Sequence, residues 1–314
     1  MVTGAAGFIG SHYVDYVLEN NPEVQVIGFD CLTYAGNMNN LDLALSNKRF
    51  EFIRGDIRNS DEVNSVVAKV DMIVNFAAES HVDRSIANSQ NFVETNILGV
   101  GNLLESAIYN KIKFFHQIST DEVYGSVENG FSTEKSILNP RSPYAASKAA
   151  ADLLVNAFSV THGLKTLITR ASNNYGSRQY PEKIIPYFVH QLLLGKSLPI
   201  YGDGLQIRDW LHVSDHINAI AHSQKNLAGK SLIVNIPGNR LITNIDLSRK
   251  ILKILALGEE RISFVQDRKG HDRRYAMSGE LLINSSFKHN LDFDVEFPKV
   301  IRHYYETYKN LQNE

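Results

Sequence analysis

Thr3-Gly4-Ala5-Ala6-Gly7-Phe8-Ile9-Gly10 opens the chain with glycines spaced G-x-x-G-x-x-G. Glycine permits a tight turn and lets backbone approach a pyrophosphate with no side chain in the way. A helix that starts there points its free N–H groups at the phosphate charge. Gly4, Gly7 and Gly10, with Phe8 and Ile9 between them, are therefore expected to cradle a dinucleotide. A strand-like run at 25–29 (QVIGF) follows, and Asp30 stands at its end, 20 residues after Gly10. An acid there accepts hydrogen bonds from adenosine ribose hydroxyls and repels a 2′-phosphate, so NAD is expected rather than NADP. Only Met1, Val2 and Thr3 precede the loop, fewer than the roughly five residues of an ordinary strand. The loop is expected to form nonetheless.

Working outward, short apolar runs at 50–53, 72–76, 114–118 and 164–169 alternate with helical patterns at 11–20, 61–70, 91–110 and 144–162. Strands alternating with helices imply a doubly wound parallel sheet of Rossmann type, with ligands at the carboxyl ends of the strands. Asp56 and Ile57, just past one of these runs, are expected to flank the adenine. From about residue 171 the rhythm breaks: Pro181, Pro186, Pro199, Gly202 and Gly204 interrupt it. The expected organisation is an α/β fold in two lobes. Residues 1–170 plus about 209–237 form the dinucleotide lobe. Residues of about 171–208 and 238–314 form a smaller C-terminal substrate lobe. Within the returning segment, a helix is expected to begin at Ser214 as its cap.

Composition narrows the function classes. The net charge of −2 supplies no basic field for nucleic acid, and no basic stripe with interleaved aromatics is present. The single cysteine, Cys31, cannot form an internal disulfide, and the scattered histidines lack ligand spacing, so no metal site is expected. No signal peptide or membrane-length apolar run is found, and a soluble cytoplasmic protein is expected.

Tyr144 and Lys148 sit four apart at the start of a helical pattern and so share one face. A phenol is a poor base at neutral pH, and a nearby ammonium is expected to lower its pKa so that it takes a proton from a sugar hydroxyl as hydride leaves the carbon. Ser119-Thr120-Asp121-Glu122 follows the run ending at Ile118, which puts it at the ligand edge of the sheet. Ser119 and Thr120 offer hydroxyls to the reacting group. Two neighbouring carboxyls tend to have separated pKa values, and elimination of water needs such a pair, an acid and a base.

With these motifs in place, the chain resembles the bacterial dTDP-glucose 4,6-dehydratases over nearly its whole length. The likeness runs through TGAAGFIGSH, FDCLTYAGN, NFAAESHVDRSI, STDEVYG, SPYAASKAAAD, RASNNYG, YPEKIIP, LPIYGDG, IRDWLHVSDH and DRKGHDRRYA. The resemblance implies that Leu32, Thr33, Phe76, Ala77, Ala78, Ser80, Thr95 and Asn174 join the cofactor site. It places His81, Asn173, Glu182, Lys183, Ile184, Pro199 and Tyr201 at the nucleotide sugar, with Ser80 and Thr120. Arg208, Asn244, His271, Arg273 and Tyr275 complete that set. It implies that Tyr144 takes the C4 hydroxyl proton, Glu122 the C5 proton, and that Asp121 protonates the departing C6 hydroxyl. It also implies tightly held NAD and a homodimer through a four-helix interface made by helices 91–110 and 144–162. The chain departs from the family at Cys31, usually lysine, at Pro237, usually glycine, and at Lys269, usually proline; a usual tryptophan is missing around 290–293. Two other readings stand beside this one: an epimerase or decarboxylase on the same scaffold, and a non-catalytic dinucleotide-binding protein.

Overall fold

The computed structural model describes residues 1–227 and 232–313. Its strands in chain order are β1 (Val2–Thr3), β2 (Val26–Asp30), β3 (Phe50–Arg54), β4 (Met72–Asn75), β5 (Phe114–Thr120), β6 (Thr166–Ala171), β7 (Asn173–Tyr175), β8 (Leu198–Tyr201), β9 (Ile207–His212), β10 (Leu232–Ile236), β11 (Leu241–Thr243) and β12 (Ile262–Val265). Seven of them form one sheet in the order β10-β6-β5-β4-β1-β2-β3, and every pairing in it is parallel. This is the expected Rossmann-type α/β architecture. The chain order reverses between β1 and β4, and that crevice is where such sheets bind ligands.

β1 is only two residues long, yet it is fixed from both sides. Val2 stands opposite Gly28 of β2 and Val74 of β4, and the Gly4 N–H donates to the Phe29 carbonyl at 2.9 Å. Local chemistry sets the helix ends. The Asn59 side chain accepts from the Asp61 and Glu62 N–H groups and caps Ser60–Val67. Ser142 caps Pro143–His162 with proline in its first turn, and Gly163, at φ 69°, ends it in the left-handed conformation.

Two expectations change in detail. The helix expected over 91–110 is three segments: Gln90–Val93, a π-helical turn Glu94–Gly99, and Val100–Tyr109. The wide turn carries Thr95 and the buried Asn96, whose amide donates to Ser147 Oγ and to the Glu79 carbonyl. An inserted π turn re-aims side chains within an otherwise regular helix. The second change concerns Ser214. The helix is Val213–Asn226, and its cap is His212, whose Nδ1 accepts from the Ser214 N–H at 3.2 Å.

The faces of the large sheet are covered by separate apolar clusters. Tyr13, Val14, Leu167 and Ile220 belong to one; Leu103, Leu104, Phe115 and Val155 belong to the other. A third core gathers Tyr175, Phe188, Trp210, Ile251 and Phe297 around the small sheets β11-β9-β7 and β12-β8. Of the segment 209–237, β9 pairs in a small sheet, the helix Val213–Asn226 packs on Phe8–Asn20, and β10 joins the edge of the large sheet. Residues 228–231 of that segment lie outside the described residues.

Candidate active site

Two clefts meet at the carboxyl end of β5. The first runs over the crevice between β1 and β4. The glycine loop forms its floor, and the loop's shape demands glycine. Gly4 adopts φ +63°, and a Cβ there would lie 2.7 Å from the Ala77 nitrogen; a Cβ on Gly10 would lie 2.2 Å from the Gly4 carbonyl oxygen. The helix Phe8–Asn20 starts directly behind Gly7. Asp30 closes the loop from β2: its Oδ2 accepts from the Ala6 N–H at 2.9 Å and its Oδ1 from the Leu32 N–H at 2.8 Å. Burial raises its pKa, and those two donors oppose the rise. The cradle that side chains would fill, the helix start and the acid at the end of β2 fit a dinucleotide pyrophosphate and ribose.

Of the residues expected at the cofactor, all line this first cleft except Leu32. Leu32 instead turns the chain at φ 56°, and its contribution is the backbone N–H on Asp30. Cys31 lines it too, as do Gly36, Glu79, Gln179, Tyr180 and His216, which no sequence signal singled out.

The second cleft lies against the small sheets. Its walls include His81, Glu182, Ile184, Pro199, Tyr201 and Asn244, with Arg208, His271 and Tyr275. Ser80, Glu122, Asn173 and Lys183 line both clefts and so mark where they join. Thr120 faces the first cleft only. Arg273 is not brought to either. Its guanidinium pairs with Asp203 at 2.7 Å on the surface, half-exposed. The neighbour that does reach the wall is Arg268, whose guanidinium meets Asp83 at 2.6 Å and lies 5.3 Å from the Tyr201 ring centroid. Arg268, His271 and Tyr275 line the wall while Arg273 turns away, a spacing that no regular period within DRKGHDRRYA announces.

At the junction the chemistry is concentrated. β5 runs two residues beyond its expected end, to Thr120, and Asp121–Tyr124 makes a 3-10 turn capped by the Thr120 hydroxyl. The turn presents Asp121 and Glu122 side by side. Asp121 is 3% exposed; its Oδ1 accepts from Thr120 Oγ1 at 3.2 Å, and its Oδ2 has no hydrogen-bond partner among the described residues. Burial, then Glu122, then Asp209 drive its pKa well above the ordinary 3.8, and Arg208 only partly opposes them. Glu122 is also raised by burial, but it faces three cations, Arg208, Lys183 and Arg268, that favour its carboxylate. Arg208 stands 4.1 Å over the Tyr275 ring, and the Tyr275 hydroxyl donates to Asp272 at 2.8 Å and more loosely to Glu122 at 3.4 Å.

Tyr144 and Lys148 come to the same place from the helix Pro143–His162. The expected ammonium-lowered phenol is not what the chain's own groups produce. Burial pushes the Tyr144 pKa up, Glu122 and Asp121 add to the rise, and the Thr120 hydroxyl opposes it. Lys148 is pulled down to about 8 by burial, and its Nζ donates to the Ile118 carbonyl at 2.7 Å. The lysine charge is thus partly spent on a carbonyl, while two carboxyls crowd the phenol.

The profile of the GDP-mannose 4,6 dehydratase family matches residues 1–277. The chain belongs to this family. It is 47% identical over 283 residues to a dTDP-glucose 4,6-dehydratase of Actinoplanes sp., covering 88% of both chains. It is also 47% identical over 278 residues to the low-salt glycan biosynthesis protein Agl12 of Haloferax volcanii, covering 88% of this chain and 89% of the relative. The crystal structure of DesIV, the dTDP-glucose 4,6-dehydratase of Streptomyces venezuelae, holds NAD and dTDP. It matches with a TM-score of 0.94 at 43% identity, over 99% of this chain and 97% of that one. In this 4,6-dehydratase family member the departures from the common pattern avoid the junction. Cys31 lines the cofactor cleft, and Lys269 is exposed beside Arg268.

Proposed function

We propose that this chain is an NAD-dependent dTDP-glucose 4,6-dehydratase, a hydro-lyase that yields dTDP-4-keto-6-deoxyglucose. One observation carries the reading: Asp121 and Glu122 are adjacent carboxyls whose surroundings push their protonation apart, at the point where the two clefts join. Held by the glycine loop and Asp30, NAD would supply a hydride acceptor for C4 and a hydride donor for C6. The remaining work falls to the chain's own residues. Tyr144 takes the C4 hydroxyl proton, with Lys148 as the local ammonium. The resulting C4 ketone acidifies the C5 hydrogen. Glu122, raised by burial but with its carboxylate favoured by Arg208, Lys183 and Arg268, takes that proton. Asp121, kept protonated by its neighbours, gives its proton to the C6 hydroxyl, which leaves as water. Glu122 returns its proton to C5 as C6 is reduced, and the C4 hydroxyl proton held by Tyr144 replaces, through solvent, the one Asp121 gave up, so the net change is the loss of one water.

The lobe of residues 1–170 and about 209–237 carries the cofactor in this reading, and the rest of the chain carries the nucleotide sugar. Arg208, Lys183 and Arg268 provide the donors two phosphates require. Simple epimerisation has no use for a neighbouring acid that retains its proton, which favours dehydration. We further propose a cytoplasmic homodimer, since NAD and nucleotide sugars are cytoplasmic metabolites. No helix among the described residues is long and apolar enough to cross a membrane. Val93 and Leu98, on the first two of the three segments, and Leu153 and Val160, on Pro143–His162, are at least half exposed, giving an apolar face suited to a four-helix contact. dTDP-glucose carrying deuterium at C4 tests the chemistry. The label is expected at C6 of the product. A product with the label back at C4, or lost to solvent, overturns the mechanism.

A further inference from the structure

Lys148 is 5% exposed, and one carbonyl is the hydrogen-bond acceptor its ammonium meets. A neutral acceptor offsets only part of the penalty of burying a cation, so the charged form needs a carboxylate. Asp152 lies four residues further along the same helix, and Tyr144, Lys148 and Asp152 follow one face of it. Asp152 is 1% exposed, and its Oδ2 accepts from Arg170 Nε at 2.9 Å. Arg170 also donates to the Tyr124 hydroxyl at 2.8 Å, and that hydroxyl donates to Asn235 Oδ1 at 2.8 Å. Tyr124 closes the turn that carries Asp121 and Glu122. A buried polar chain thus ties the helix of Tyr144 and Lys148 to the turn of the two carboxyls.

We infer that Asp152 is a positioning residue for Lys148: from one helical turn away its carboxylate favours the charged ammonium, and Arg170 and Tyr124 tie that carboxylate to the turn that carries Asp121 and Glu122. Other titratable groups stand on the elements packed against this helix. They are Asp83 and Arg84 on Val82–Ala87, Glu94 on the π turn, Glu105 and Tyr109 on Val100–Tyr109, and His116 in β5. Arg170 in β6 and the turn's Asp121, Glu122 and Tyr124 complete them. Against the burial that lowers Lys148 to about 8, Asp152 is the opposing charge. Without it the ammonium is lost at a lower pH. Asp152→Asn alone leaves Arg170 buried without a carboxylate, which endangers folding. Asp152→Asn combined with Arg170→Gln removes both charges and separates the two effects.

The inference rests on the dehydratase reading only for its kinetic consequence, so the first readout is independent of substrate. The Nζ resonance of Lys148, assigned by its loss in Lys148→Arg, is titrated in the wild-type protein and in the double variant. A midpoint lower by about one pH unit is expected, which is tenfold less ammonium at alkaline pH. An unchanged midpoint overturns the inference whatever the enzyme's substrate. The second readout is single-turnover formation of reduced cofactor on mixing with dTDP-glucose. Its alkaline limb is expected to move down by the same amount, and Asp152→Glu is expected to restore it in part. An even loss at every pH, with the limb unmoved, means that Asp152 serves the fold alone and overturns the inference as well.

Discussion

Replacing Asp121 by asparagine separates the two halves of the reaction and tests the electrostatic reasoning at once. The substitution preserves shape but removes the proton that the C6 hydroxyl needs. Asp121 is 3% exposed, so bulk water has little access to act in its place. A positioned general acid contributes about 10²–10⁴ in rate, or roughly 3–5 kcal/mol at about 1.4 kcal/mol per decade. Elimination is expected to slow by that factor, while C4 oxidation by Tyr144 changes little. Rapid quenching of a single turnover, with the sugar read by mass, is expected to show an oxidised sugar that retains its water. Stability gives a second, independent reading. Burial and the neighbouring carboxyls raise the Asp121 pKa in the folded protein above 3.8. The stability this group favours is present below that value and is lost as pH rises toward its folded pKa. Asparagine never ionises, so the variant's melting temperature is expected to gain on the wild type as pH rises. If reduced-cofactor formation falls as far as product formation, the role given to Asp121 is wrong. If the variant loses melting temperature relative to the wild type on going to neutral pH, the account of its surroundings is wrong.

Gly10→Ala puts a Cβ 2.2 Å from the Gly4 carbonyl oxygen, and calorimetry is expected to show NAD affinity reduced by at least about 100-fold, ~2.7 kcal/mol. Arg273→Ala removes a surface pair with Asp203 and is expected to change KM by less than about threefold, within the ~0.5 kcal/mol of ordinary surface substitutions. Arg208→Ala, which strips a charge from Glu122, is expected to lower kcat/KM by more than about tenfold, the ~1.5–3 kcal/mol of a hydrogen bond to a charged group. Leu153→Glu places a charge in the apolar face of Pro143–His162, and equilibrium sedimentation is expected to give a dimer for the wild type and a monomer for the variant.

The sheet was legible because its inner strands are buried on both faces and read as apolar runs; Thr166–Ala171 is buried at every position. The glycine loop and Asp30 were legible because backbone approach to a phosphate leaves a spacing that few other structures require. What lay beyond the sequence was set by contacts distant along the chain. The π turn at Glu94–Gly99 answers to Asn96 reaching Ser147 and Glu79, and nothing within the segment announces it. The inward arginine of the DRKGHDRRYA stretch is Arg268, selected by Asp83 from the far side of the cleft. The Tyr144 environment was misjudged because spacing shows that Lys148 is near but not that its ammonium is directed at the Ile118 carbonyl. Local patterns record local geometry, whereas the charge balance of a junction is fixed by side chains arriving from β5, β9 and loops distant along the chain.

In the proposed reaction this site removes water from a nucleotide-activated hexose. Incubation of the NAD-loaded protein with dTDP-glucose, followed by mass measurement of the nucleotide sugar, tests it most directly. The expected product is lighter than the substrate by one water, with no net consumption of NAD. A nucleotide sugar of unchanged mass but altered configuration would contradict it.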